Sequence, residues 1–97
     1  MAYSKEFMEY LADQLAGAGT VRYRLMFGAY SVYVDGKLIG IAGEDTFFVK
    51  DTPAGRAVVP DAPLIPPYDG AKPYIFAENV DDRDTLCALV RATCAAL

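Results

Sequence analysis

The stretch Phe27-Gly-Ala-Tyr-Ser-Val-Tyr-Val-Asp-Gly-Lys-Leu-Ile-Gly-Ile-Ala-Gly-Glu-Asp-Thr-Phe-Phe-Val-Lys50 decides the fold. Its sharpest signal is Asp35-Gly36, flanked on both sides by apolar residues in alternation. A two-residue type I′ turn needs positive φ at both central positions, which Asp tolerates and Gly adopts freely. The spacing therefore predicts a hairpin of Tyr30–Val34 with Lys37–Ala42. Gly43-Glu44-Asp45 supplies the next turn, leading into a strand over Thr46–Lys50. Upstream, Thr20–Phe27 alternates as a half-buried strand, with Val21, Tyr23, Leu25 and Phe27 on one face and Arg22, Arg24 and Met26 on the other. Gly28 and Ala29 mark the link between the first two strands. Connections this short make sequential neighbours antiparallel, so the four strands form a meander.

Working outward, Ser4 is placed to cap a helix over Ser4–Ala16, with Glu6 in its first turn and Phe7, Leu11 and Leu15 at helical spacing. Tyr3, Met8 and Tyr10 widen the stripe, and Gly17 and Gly19 end it. After the meander, Thr52-Pro53 opens a short helix that ends by Pro60. The proline-rich Asp61–Pro67 reads as a stiff extended connector. Pro73–Asn79 reads as a fifth strand, and Asp81 as the cap of a last helix running to Leu97. The predicted order is α-β-β-β-β-α-β-α. This is an α+β fold, an antiparallel sheet of about five strands with helices on one face. Strand three is apolar on both faces, with Ile39 and Ile41 against Leu38, Gly40 and Ala42. It is expected to be central, with a second copy of the chain as one candidate cover for the face the helices leave open.

A chain of 97 residues, 54% of them hydrophobic, is expected to form one domain spanning 1–97. No apolar run approaches the ~20 residues of a membrane span, and Met-Ala-Tyr-Ser-Lys-Glu is not a secretory leader, so a cytoplasmic location is expected. The net charge of −4 opposes a general nucleic-acid surface. The chain contains no histidine, which removes the commonest general base and transition-metal ligand. Its aspartates sit where turns and caps call for them. No spacing suggests an acid/base dyad, a calcium loop or a phosphate loop, and no metal or cofactor is implied. Cys87 and Cys94, roughly 10.5 Å apart along one helix, are too distant to bridge and are read as packing residues.

The pattern Phe27-Gly28, Tyr30, Tyr33, Asp35-Gly36-Lys37, Asp45, Phe48 and Lys50, with Tyr68, Gly70 and Lys72-Pro73 downstream, resembles the N-terminal domain of the TfoX/Sxy competence-regulator family. Ala29 and Ser31 stand where the family pattern has glycine. The resemblance implies the same α+β arrangement, no catalytic set, and a role in transcription-related regulation through a protein partner. Full-length regulators of the family carry a second, nucleic-acid-type domain, so this chain is expected to be a stand-alone N-terminal module.

The candidate interaction surface is Arg22, Arg24, Tyr33 and Lys37. Two arginines on one strand face, with a lysine nearby, suit an acidic partner, and they also suit a solvated edge. The leading expectation is thus a non-enzymatic protein-interaction module, with a possible homodimer. A nucleic-acid-binding regulatory domain and a small-ligand-binding protein are the alternatives.

Overall fold

The computed structural model describes residues 3–97. The elements are α1 (Lys5–Leu15), a 3-10 turn (Ala16–Ala18), β1 (Val21–Met26), β2 (Ala29–Val34), β3 (Lys37–Ala42), β4 (Phe47–Val49), α2 (Pro53–Val58), β5 (Leu64–Ile65), β6 (Tyr74–Phe76) and α3 (Arg83–Ala96). The six strands form one sheet in the order β1-β2-β3-β4-β6-β5, and every neighbouring pair is antiparallel. The fold is α+β, as the sequence indicates, with six strands instead of about five. The additional strand, Leu64–Ile65, lies in the segment read as an irregular connector. It is an edge strand of two residues, where prolines on either side cost few ladder bonds.

The three helices cover one face of the sheet, around a core that includes Met8, Leu11 and Leu15 of α1 and Leu86, Leu89 and Val90 of α3. The sheet contributes Val32, Val34, Ile39, Phe47, Val49 and Ile75. Each large aliphatic side chain buried there is worth about 1.5–3 kcal/mol. The buried stripe of α1 centres on Met8, Leu11 and Leu15, while Tyr3 and Tyr10 are exposed and Phe7 is half-buried. Ser4 caps α1, its Oγ accepting from the Phe7 N–H at 3.2 Å. Gln14, buried between α1 and α3, donates to the Val80 carbonyl at 2.9 Å and accepts from Arg83 Nε at 3.2 Å. Cys87 is buried against the Gln14 carbonyl, and Cys94 lies half-buried near the Val34 carbonyl. Gly55 lets α2 approach α3 closely, since a Cβ there would lie 2.9 Å from Thr93 Oγ1 and 3.3 Å from Ile75 Cδ1.

Two details differ from expectation in ways that matter for the surface. First, β1 is the longer of the two edge strands of the sheet, and all its residues except Val21 are exposed instead of half-buried. Second, β3 carries a bulge. Val32 pairs with Gly40 but Tyr33 with Leu38, so Ile39 is the extra residue. Consecutive Ile39 and Gly40 are both buried, while Leu38 and Ile41 on either side are half-buried. The doubly apolar look of strand three has this origin, and the strand is central, third of six.

Asp82, not Asp81, caps α3, accepting from the Thr85 N–H at 3.3 Å; Asp81 instead accepts a hydrogen bond from the Tyr10 hydroxyl. The hydrogen bonds from Thr85 hold the Asp82 carboxyl below its usual range. The Arg56 guanidinium does the same for Asp51, reaching it through Nε at 2.6 Å and Nη2 at 2.5 Å. A depressed carboxyl pKa contributes stability that is present above the unfolded value, about 3.9, and is lost as pH falls through the folded value. The melting temperature is therefore expected to be level from neutral pH down to about 4–5 and to fall below that. Circular dichroism melts of Asp51→Asn plus Asp82→Asn should show a shallower acid limb; an unchanged limb would assign acid lability to other carboxylates.

Candidate functional site

The face of the sheet opposite the helices is built by alternation. Pairing places Arg22 beside Tyr33, Arg24 beside Ser31 and Met26 beside Ala29. It continues the row through Tyr33 beside Leu38, Ser31 beside Ile41, Ile41 beside Phe48 and Phe48 beside Phe76. Tyr74 and Ile65 close it on β6 and β5. Phe48 and Phe76 stack at a tilt with centroids 5.4 Å apart. A groove of about 480 Å³ opens on this face, lined by Met26, Phe27, Ala29, Ser31, Leu38, Ile41, Tyr68 and Tyr74. The segment after β5 supplies one wall: Pro67 is buried and Tyr68 is exposed. Partial burial raises the Tyr74 hydroxyl pKa, with a smaller contribution from Tyr68 beside it.

At the end of β1 lies the least expected residue. Met26 pairs directly with Ala29, so the link is the two-residue turn Phe27-Gly28, with φ of 52° and 79°. Asp35-Gly36 has the same geometry, 51° and 81°, as its sequence signals. Positive φ is ordinary for Asp and Gly and costly for a bulky side chain. Phe27, assigned by alternation to the buried-side face of the first strand, instead heads the hairpin with its side chain 97% exposed. The ring is therefore solvated at the mouth of an apolar groove while its backbone carries the strain of positive φ.

Of the four residues singled out from sequence, Arg22, Arg24 and Tyr33 share the outer face. Lys37 does not join them. It pairs with the buried Val34, and its Nζ donates to the main-chain oxygens of Cys94 at 3.1 Å and Leu97 at 2.9 Å. There it neutralises the C-terminal end of α3, a contribution of about 0.3–1 kcal/mol. Among the described residues, neither Arg22 nor Arg24 forms a salt bridge, although Arg56 and Arg83 do. Of the groove residues, Phe27 enters the sequence reading only through the family pattern, and Met26, Leu38 and Ile41 carry no motif. The apolar outer half of strand three was the available sign of them. Among the described residues, no three His, Cys, Asp or Glu side chains converge as metal donors, and no helix is long and apolar enough to cross a membrane.

The profile of the TfoX N-terminal domain family matches residues 13–97. The chain belongs to the TfoX N-terminal domain family. A relative from Spirochaeta aurantia, an uncharacterized 12.7 kDa protein in the trpE 5′ region, is 35% identical over 98 residues, covering 100% of this chain and 85% of its own length. The matched span includes the Phe27 turn, the Asp35-Gly36 hairpin and the whole outer face. The surface described here thus belongs to the TfoX N-terminal domain itself and not to an appendage of it.

Proposed function

We propose that this TfoX N-terminal domain is a non-enzymatic, cytoplasmic, competence-regulator-like module that binds another protein, a transcription-related one, through the outer face of its sheet. The observation that carries this reading is the Phe27 tip beside its apolar groove. A solvated aromatic held at positive φ contributes nothing to the core, and contiguous exposed apolar surface of this kind marks association sites in soluble domains. The lack of histidine gives no support to acid/base chemistry, and no three acidic or thiol side chains converge among the described residues. Arg22 and Arg24, on the same outer face and without a salt bridge among the described residues, favour an acidic partner, and the net charge of −4 disfavours nucleic acid.

The test is affinity purification of the tagged chain from native lysate beside Met26→Glu plus Tyr68→Glu, both exposed positions on the groove. The expected result is a stoichiometric protein with the parent chain, absent from the variant, and melting temperatures within a few degrees of each other. A parent chain that recovers no protein and runs as a monomer overturns the reading. So does one whose salt-sensitive binding to random DNA survives the two substitutions.

A further inference from the structure

The free edge of β1 has a definite hydrogen-bonding polarity. Thr20 and Asp35 already face each other across the hairpin, the Thr20 carbonyl accepting from the Asp35 N–H at 2.9 Å. Antiparallel ladders alternate between pairs that exchange hydrogen bonds and pairs that do not. Counting from Thr20, the main-chain groups of Arg22, Arg24 and Met26 turn toward β2. Those of Val21, Tyr23 and Leu25 turn outward, where no strand of the sheet meets them. This leaves three N–H and three C=O groups in register on a six-residue strand. Tyr23 and Leu25 are 37% and 49% exposed on the helix side, and Arg22 and Arg24 stand exposed on the other.

We infer that this edge receives an extended acidic segment of a protein partner as a seventh strand, with apolar residues opposite Val21, Tyr23 and Leu25 and carboxylates opposite Arg22 and Arg24. Main-chain bonds supply affinity in such strand addition, and alternate side chains supply selectivity. The choice of occupant follows from charge. Two copies paired antiparallel about Tyr23 would set Arg22 of one opposite Arg24 of the other, twice, and like charges directly opposite are destabilising. The same arginines that resist self-pairing attract an acid-apolar-acid strand. The chain's own 13 acidic residues leave both of them without a salt bridge among the described residues. The inference deepens the protein-binding reading by naming the partner's local chemistry, and it uses the sheet edge where that reading uses the groove.

The probe is the peptide acetyl-Ser-Val-Glu-Val-Glu-Val-Ser-amide, titrated into the full chain while amide hydrogen exchange is followed. Comparison peptides carry lysine for glutamate, or N-methyl groups on the three valines. The expected result is slowed exchange at Val21, Tyr23 and Leu25 and a preference of about tenfold or more for the acidic over the basic peptide. Arg22→Glu plus Arg24→Glu, both on exposed side chains, should reverse that preference, and N-methylation should abolish binding. Equal response to acidic and basic peptides, or no slowing at these three amides up to the solubility limit, overturns the inference. Slowing confined to the groove residues overturns it too while leaving the protein-binding reading intact. Loss of that reading is scored separately, by the groove variant in lysate.

Discussion

Gly40→Ala is expected to destabilise the domain by about 3 kcal/mol, lowering the melting temperature by about 12–24 °C. Gly40 lies in β3 with β2 on one side and β4 on the other. It pairs with Val32 and with Val49 immediately after the Ile39 bulge. A Cβ built there overlaps the main-chain oxygen of Phe48 and comes within 3.2 Å of the Phe47 ring. A flexible side chain would move aside, but the Phe48 oxygen belongs to the β4 backbone, whose neighbours Phe47 and Val49 are fully buried. Relief therefore requires parting two central strands or shifting the bulge. Thermal melts of the alanine variant check this. Gly36→Ala is the informative companion. Its φ of 81° makes alanine strained, yet nothing lies within 4 Å, so the cost should stay near 1–2 kcal/mol. Gly40 has no positive φ, so a loss there no larger than at Gly36 would show that β4 yields to the added methyl and that the overlap is relieved cheaply.

What the sequence made legible follows from how local each signal is. The Asp35-Gly36 turn, the Ser4 cap and the Thr52-Pro53 helix start are each decided within four residues, and each forms where expected. Signals that depend on pairing were less visible. Lys37 is close in sequence to the arginine-bearing hairpin, but the register across Asp35-Gly36 sets it beside Val34, facing the helices. The Ile39 bulge has no composition signature. Its trace, apolar residues on both faces, is also what a sheet covered on both sides would give. In β1 alternation reports faces and not neighbours. Val21, Tyr23 and Leu25 read as a core face, and they do point to the helix side, but the helices leave Tyr23 and Leu25 exposed. Tyr23 and Tyr3 instead pack edge-on against Tyr30, at 5.5 and 5.7 Å between centroids.

Local propensity extends β1 through Phe27 for a related reason. Turn assignments rest on residues that tolerate the turn's dihedrals, and phenylalanine is not one of them. Extending the strand through it was therefore the cheaper reading by local propensity. The structure places it at φ 52° all the same, with 97% of its surface solvated. Folding gains no burial from the ring and bears the strain of the backbone. Phe27→Asn is consequently expected to raise stability by about 1 kcal/mol, or roughly 4–8 °C in melting temperature, because asparagine accepts the left-handed region. In the lysate experiment the same substitution should reduce recovered partner to about a thirtieth or less, the loss expected for an aromatic anchor worth about 2 kcal/mol. A variant that gains stability while losing its partner would identify Phe27 as a residue retained for binding at the expense of the hairpin. A lowered melting temperature would mean that the ring packs in the free protein. Partner recovery at the parent level would remove Phe27 from the interaction surface and move the centre of the site toward Leu38 and Ile41, deeper in the groove.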